Sequence, residues 1–283
     1  MDKIIVLDFG GQYSHLISRR VRDFGVYSVV LPSGTPREEL ARISGIKGLI
    51  LSGGAASVYD KHSPKCDREI LGLGVPVLGI CYGHQLIAHL EGGEVVPGES
   101  GEYGITELSV LKRSSLLNGL KSTERVWMNH RDIVKSMPRG YSLTASTRIS
   151  PIAAFEDNKK NIYGVQFHPE VTHTENGDRI LRNFVFQICK SRREWSTSNI
   201  IDSIISEARQ RIGNRKAIIG LSGGVDSSTA AVLVNRSIGS NMTAVYVDTG
   251  LMREGETEFI KRVFLGGRYD TVSYTHLTLP TKA

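Results

Sequence analysis

Val75-Pro76-Val77-Leu78-Gly79-Ile80-Cys81-Tyr82-Gly83-His84-Gln85-Leu86-Ile87-Ala88-His89-Leu90 decides the fold. From Val75 to Ile80 the run is almost continuously apolar, as in a strand buried on both faces. From Gly83 to Leu90 the spacing turns helical. A buried strand passing directly into a helix is the unit of a parallel α/β sheet. The residue at such a junction is forced into a strained backbone, and its neighbours two places away must be small. Gly79 and Gly83 meet that demand, which puts Cys81 at the apex of a nucleophile elbow. The N–H groups that open a helix favour a thiolate there and can cradle an oxyanion. A small cysteine buried after a core strand would read the same from these residues alone. Cys66 and Cys189 have no comparable setting.

Working outward, alternating strands and helices precede the elbow. Lys3–Phe9 reads as a strand, 12–23 as a helix, Ser28–Leu31 as a strand, Glu38–Ser44 as a helix and Gly48–Leu51 as a strand ending at Ser52-Gly53-Gly54. From Val95 to Phe167 the runs shorten and alternate, which predicts antiparallel strands, and Asp178–Lys190 closes the domain as an amphipathic helix. The charged, Ser/Thr-rich stretch that follows marks a boundary: 1–190 is the first domain, 191–198 a linker, 199–271 a second α/β unit and 272–283 a tail. In the second unit, helix 200–211, strand 216–221, helix 227–236, strand 242–247 and helix 256–264 are expected.

With 40% hydrophobic and 23% charged residues the 283-residue chain is of ordinary globular composition. No stretch is apolar enough to span a bilayer, and residues 1–8 lack the pattern of a signal peptide, so no membrane is expected. Three cysteines form no disulfide framework, and the expected compartment is the reducing cytoplasm. The net charge of +6 is scattered rather than gathered in a stripe with aromatics, which argues against nucleic acid as a partner.

Tyr163-Gly164-Val165-Gln166-Phe167-His168-Pro169-Glu170 is a strand ending in a corner. Residues two apart in an extended chain project to one side, so Glu170 can orient His168, and His168 can take a thiol proton. A strand-capping histidine followed by a solvated glutamate is the blander alternative; beside an elbow cysteine it falls behind. No histidine or cysteine pair has metal-ligand spacing, and no protein-held metal is expected. Farther on, Ile218-Ile219-Gly220-Leu221-Ser222-Gly223-Gly224-Val225-Asp226-Ser227-Ser228 is a strand, a glycine-rich turn and a helix start. Its exposed N–H groups and its hydroxyls suit a phosphate, yet it is not a Walker loop, since no Gly-Lys-Ser/Thr follows.

Together GICYGHQ, the Gly53-Gly54 pair in LILSGG and GVQFHPE resemble the class I, triad-type glutamine amidotransferases. The opening LDFGGQYSHLISRRVRDFG and the later GLSGGVDSS narrow the likeness to a family that fuses such a domain to an ATP pyrophosphatase and aminates XMP. The resemblance runs from about residue 3 to about residue 270. It implies a mixed, mostly parallel sheet with flanking helices, followed by part of a parallel α/β ATP-pyrophosphatase domain. It implies Cys81 as nucleophile, His168 as base then acid, and Glu170 as its orienter. The backbone N–H groups of Gly54 and Tyr82 would form the oxyanion hole, with Gln85 and Asp132 in the glutamine pocket. Ser222, Gly223, Gly224, Val225, Asp226, Ser227 and Ser228 would hold ATP, with Asp226 either near Mg²⁺ or shaping the loop. Val247-Asp248-Thr249-Gly250-Leu251-Met252-Arg253 resembles a further nucleotide-proximal motif. Implied partners are glutamine, ATP and XMP, with a homodimer for full-length members.

Two departures stand out. Ala55-Ala56 replaces the usual Pro after the glycine pair, and Asn129-His130-Arg131-Asp132 replaces Ser-His-Gly-Asp. Neither is expected to touch the triad; the second is expected to alter how the glutamine α-amino group is held. After about Tyr269 the likeness stops, so 272–283 is expected to pack poorly, and these 283 residues are expected to hydrolyse glutamine without completing the amination. Two rivals remain: the same glutaminase feeding another acceptor, which the fused SGGVDSS loop disfavours, and an inactive nucleotide-binding regulatory module, which would lack a triad member.

Overall fold

Lys3–Asp8 forms β1, whose Ile4, Ile5, Val6 and Leu7 are fully buried because both faces of its sheet are covered. The structure, a computed structural model, describes residues 1–112, 114–248, 255–265 and 270–274. The chain continues through α1 (Ser14–Asp23), β2 (Tyr27–Pro32), α2 (Arg37–Arg42), β3 (Ile46–Leu51), β4 (Val77–Ile80) and α3 (Tyr82–Leu90). It then enters the long pair β5 (Glu94–Val110) and β6 (Thr123–Ser136), followed by β7 (Ser142–Ser146), β8 (Ala154–Asp157) and β9 (Ile162–Val165). Helix α4 (Gly177–Arg182) runs on as a π-helical turn, Asn183–Ile188.

The sheet has nine strands in the order β2-β1-β3-β4-β9-β8-β7-β5-β6. Strands β2, β1, β3, β4 and β9 are parallel, and β8, β7, β5 and β6 extend the sheet antiparallel. Here the structure corrects the sequence reading, which took all of 95–167 as antiparallel. Strand β9 leaves that block and inserts parallel beside β4, pairing Gly79 with Gly164 and Ile80 with Val165. Its four residues are buried on both faces, so they carry no alternation to declare their neighbour.

Alternation along the strands divides the core. Ile4, Val6, Ile50, Leu78 and Phe184 fill one side, with Ile17 and Val21 of α1; Ile5, Leu7, Leu49, Leu51 and Val77 fill the other, with Leu86 and Ile87 of α3. Ile50→Val removes one methylene from the first side and should cost about 0.5–1.5 kcal/mol in urea unfolding. At the closing helix, Cys189 N donates to Phe184 O at 2.8 Å, the wider bond of a π turn, while Asn183 Nδ2 donates to Leu116 O and Asn118 O at 2.9 Å each.

Contact density divides the chain at Trp195/Ser196. The 191–198 stretch, expected as a linker, is itself divided. The Arg192 backbone N donates to Asp2 at 2.9 Å, its guanidinium pairs with the same carboxylate at 3.2 Å, and Trp195 N donates to Gly25 O at 3.0 Å. Ser196 instead caps the next helix, accepting from Asn199 N at 3.2 Å.

The second unit comprises α5 (Thr197–Ile212), β10 (Ala217–Leu221), α6 (Val225–Ile238), β11 (Met242–Val247), α7 (Glu256–Phe264) and β12 (Asp270–Tyr274). Its strands are parallel in the order β10-β11-β12, over a small core of Leu221, Ala231, Met242, Ala244, Tyr246, Ile260 and Phe264. The tail expectation is corrected for its first residues: 272–274 pair with β11 through Val245↔Val272, Tyr246↔Ser273 and Val247↔Tyr274. The remainder of the tail and residues 249–253 of the nucleotide-proximal motif lie outside the described residues.

Candidate active site

Cys81 stands between β4 and α3 with φ 52° and ψ −104°. A non-glycine residue held there costs on the order of 1–3 kcal/mol and persists only where its surroundings enforce it. The glycines around it are obligatory by contact. A Cβ on Gly79 would lie 2.4 Å from Gly83 O, and one on Gly83 would lie 2.3 Å from Leu51 O. Strand β3 and the first turn of α3 are thus pressed together, and the bend falls on Cys81, whose N donates to Val165 O at 2.8 Å.

That bond ties the elbow to β9, which continues through Phe167 to His168. His168 N donates to Trp127 O at 3.0 Å, and Thr174 Oγ1 donates to His168 O at 2.6 Å, which fixes the backbone. The imidazole Nδ1 is 2.7 Å from Glu170 Oε1, and the Tyr13 ring meets it edge-on at 5.3 Å between centroids. Glu170 is fully buried, and Arg20 Nε donates to its carbonyl at 3.1 Å. His168 Nε2 is buried without a well-aligned hydrogen bond. Burial opposes the imidazolium, but the Glu170 carboxylate and the Cys81 sulfur outweigh it and hold His168 well above its usual 6.5.

A group raised on folding stabilises the fold fully below its unfolded value, and the contribution is lost as pH rises through the folded value. Glu170→Gln should therefore be most destabilised relative to the parent near pH 6, with the gap in melting temperature closing at alkaline pH. A gap that widens with alkali would contradict the pairing.

Gly53 lies between nucleophile and base: a Cβ there would be 3.1 Å from His168 Cε1 and 3.6 Å from Cys81 Cβ. Gly54 follows, where a Cβ would meet Phe9 O at 2.6 Å and the Tyr82 ring at 3.4 Å. The Tyr82 side chain points away from the cavity, donating to Pro64 O at 2.6 Å and resting 5.5 Å from the Phe9 ring. Ser52 supports the glycine pair, accepting from Phe9 N and donating to Gly53 O at 3.1 Å each.

A cavity of about 510 Å³ opens over Cys81 and His168, lined also by Gly10, Gly11, Tyr13, Gly53, Gly54, Gln85, Tyr103 and 129–132. Gln85 Nε2 donates to Asp132 O at 2.8 Å and to Gln166 Oε1 at 3.1 Å, so its amide nitrogen braces the wall. The Asp132 carboxylate accepts from Tyr59 OH at 3.0 Å. The Cys81 thiol lies 3.8 Å from Asn129 O, a main-chain contact that does not depend on the side chain at 129. Ala55 and Ala56 line the cavity as well. Neither other cysteine is poised as a nucleophile. Burial pushes Cys66 up to about 12 and Cys189 higher still.

Sequence reasoning assigned no role to Tyr13 or Thr174, and marked Asn129 only as a departure without its main-chain contact to Cys81. Tyr13 lay inside a quoted motif, but nothing in its spacing showed that it would reach His168.

In the second unit the glycine-rich turn is built as expected for its backbone. Gly223 has φ +83°, and Gly224 opens α6. Ser227 Oγ lies 3.0 Å from Ser222 Oγ and accepts from Ser222 N at 3.2 Å, while Gly224 N donates to Ser222 Oγ at 3.4 Å. Asp226 is exposed in the first helical turn beside Val225, which is 80% exposed, and Ser228 N continues the helix to Gly224 O.

An elbow cysteine, a carboxylate-oriented histidine and a glycine pair above them on a mostly parallel sheet define a triad amidotransferase. A family model described as "Glutamine amidotransferase class-I" matches residues 5–188, and the chain belongs to that family. A second model, described as "NAD synthase", matches 197–263. The chain is 49% identical over 262 residues to a "GMP synthase [glutamine-hydrolyzing]" of Carboxydothermus hydrogenoformans, covering 93% of this chain and 51% of that protein. It is 46% identical over 269 residues to a protein of the same description from Enterococcus faecalis, covering 95% and 51%. The chain thus spans about half the length of the curated relatives it matches. A solved structure from Thermoplasma acidophilum, described as that of a candidate GMP synthase subunit, superposes with a TM-score of 0.59 at 38% identity, covering 69% of this chain and 96% of that one. Among the described residues no helix is long and apolar enough to cross a membrane.

Proposed function

We propose that the first unit hydrolyses glutamine as the ammonia-supplying half of a GMP synthase. The whole reaction converts XMP, glutamine, ATP and water to GMP, glutamate, AMP and diphosphate. The observation that carries the reading is the strained Cys81 at an elbow whose backbone is bonded to the strand leading to the His168–Glu170 pair.

In this reading the Cys81 sulfur attacks the carboxamide carbon, and the negative charge that develops on oxygen is met by the N–H groups of Gly54 and Tyr82. The C–N bond breaks as His168 gives a proton to the departing ammonia, leaving a glutamyl thioester. His168 then takes a proton from water, which attacks the thioester; glutamate departs and the sulfur is restored. Glu170 holds the imidazole orientation and steadies its charged form. Asp132, already fixed by Tyr59, suits the substrate's α-amino group.

For the second unit the reading is ATP binding at residues 222–228. Backbone N–H groups at the start of α6 and the Ser222, Ser227 and Ser228 hydroxyls suit phosphate oxygens. Among the described residues no cluster of three or more histidine, cysteine or acidic side chains could hold a metal alone. The single Asp226 carboxylate instead fits a Mg²⁺ that arrives with the phosphates and neutralises their charge. XMP as acceptor rests on the likeness to the GMP synthases. The test supplies the purified 283 residues with glutamine, XMP, ATP and Mg²⁺. Glutamate release without GMP is expected, because Ile218 and Val225 of the second unit stand exposed, at 78% and 80%, and its loop rests on a thin core. GMP formation by these residues alone would overturn the second half of that expectation, and absence of glutamate the first.

A further inference from the structure

His130 is buried on β6, directly across from Glu102 on β5. Its Nδ1 is 3.0 Å from Asp132 O, and its Nε2 is 3.1 Å from Glu102 Oε2. The first partner is a carbonyl and can only accept a proton. The second behaves as a carboxylate. Burial would raise Glu102, but hydrogen bonds from His130, Thr147 and Ser150 outweigh it and hold Glu102 below the usual carboxylate range. Both hydroxyls approach it at 2.7 Å, Thr147 on one oxygen and Ser150 on the other. A neutral imidazole has one N–H for these two acceptors. Ser150 Oγ also stands 3.4 Å from Nε2, but it already donates to Glu102 at 2.7 Å, so the contacts are met together when each ring nitrogen carries an N–H.

The carbonyl that His130 meets is the same one that accepts from Gln85 at 2.8 Å. Asp132 O therefore takes two donors, one from α3 beside the nucleophile and one from the Glu102 pair. One residue earlier than His130, Asn129 O faces the Cys81 thiol.

We propose that His130 is a positioning residue of the glutamine pocket: an imidazolium, held by Glu102, that clamps the Asp132 carbonyl against Gln85 and so fixes the pocket wall. This rests on the reading of the cavity as a glutamine site. His130 touches no reacting atom. Its effect passes through the placement of Asp132 and Gln85, and it should appear in glutamine affinity rather than in the bond-breaking steps.

Three variants and one spectrum test it. His130→Asn keeps an N–H where Nδ1 stood and should leave KM for glutamine within a few-fold of the parent. His130→Gln places its amide toward Glu102 instead and should raise KM on the order of tenfold or more, the usual scale for losing a charge-assisted contact, with kcat nearly unchanged. Glu102→Gln removes the negative charge but can donate to Nε2, and KM should again stay near the parent's. Long-range ¹H–¹⁵N correlation spectra at neutral pH should show both His130 nitrogens protonated in the parent and only Nδ1 in Glu102→Gln. Alkylation of Cys81 by iodoacetamide, equal in all variants, shows that the elbow is intact. A neutral His130 in the parent, or equal KM values for His130→Asn and His130→Gln, overturns the proposal. If the parent releases no glutamate, the glutaminase reading fails, and the spectra still judge the clamp.

Discussion

Cys81→Ala should lower glutamate release by at least about ten-thousandfold, the scale on which loss of a triad nucleophile falls. In the proposed reaction the sulfur forms the covalent intermediate, and neither other cysteine is placed to inherit the role. Cys66 is pushed up to about 12 by burial, and Cys189 lies buried behind Gly48, where its sulfur would be 2.4 Å from an added Cβ. Alanine removes only the sulfur of a residue that is 4% exposed at the edge of the core, so the packing loss is small. The protein should keep its fold with stability near the parent's or slightly lower, because alanine retains the Cβ that strains the backbone at φ 52°. Steady-state glutamate release measured beside a melting curve checks both parts; retained turnover in Cys81→Ala would remove the nucleophile assignment.

Gly54→Val should cost on the order of 10²–10³ in kcat, the loss typical of one oxyanion donor. The reason is geometric. A Cβ at this position falls 2.6 Å from Phe9 O, a backbone atom that cannot swing aside, so the 53–54 peptide must move and carry its N–H away from Cys81. Glutamine affinity should change less, because Gln85 and Asp132 lie on other elements. A large rise in KM with kcat preserved would instead make Gly54 a packing residue.

The elbow was legible in the sequence because its constraints are local. Glycine is needed two places either side of Cys81, and a buried strand must run directly into a helix. The His168–Glu170 pair was legible for the same reason, since its members are two residues apart. What brings the halves together was not. Strand β9 lies next to β4 only because the chain returns from the β5–β8 block to the middle of the sheet, and four apolar residues carry no mark of that return. The π turn at Asn183–Ile188 was hidden as well, because the wider bond answers to Asn183 reaching Leu116 and Asn118, more than sixty positions away. His130 and Glu102 sit 28 residues apart, and only the register of β5 on β6 makes them a pair.

In the second unit the loop was legible and its support was not. The string from Ser222 to Ser228 announces a strand, a turn with positive φ at Gly223 and a helix start. How its hydroxyls bond to one another depends on tertiary placement: Gly223 is backed by Ile260 and Glu256 of α7, with a Cβ only 3.0 and 3.1 Å from them.

The most direct test of the central claim is mass spectrometry of the chain quenched in acid during glutamine turnover, followed by digestion. The account predicts a glutamyl adduct on the peptide carrying Cys81, absent from Cys81→Ala and absent from the Cys66 and Cys189 peptides. Glutamate produced with no adduct on Cys81, or with the adduct on another cysteine, would contradict it.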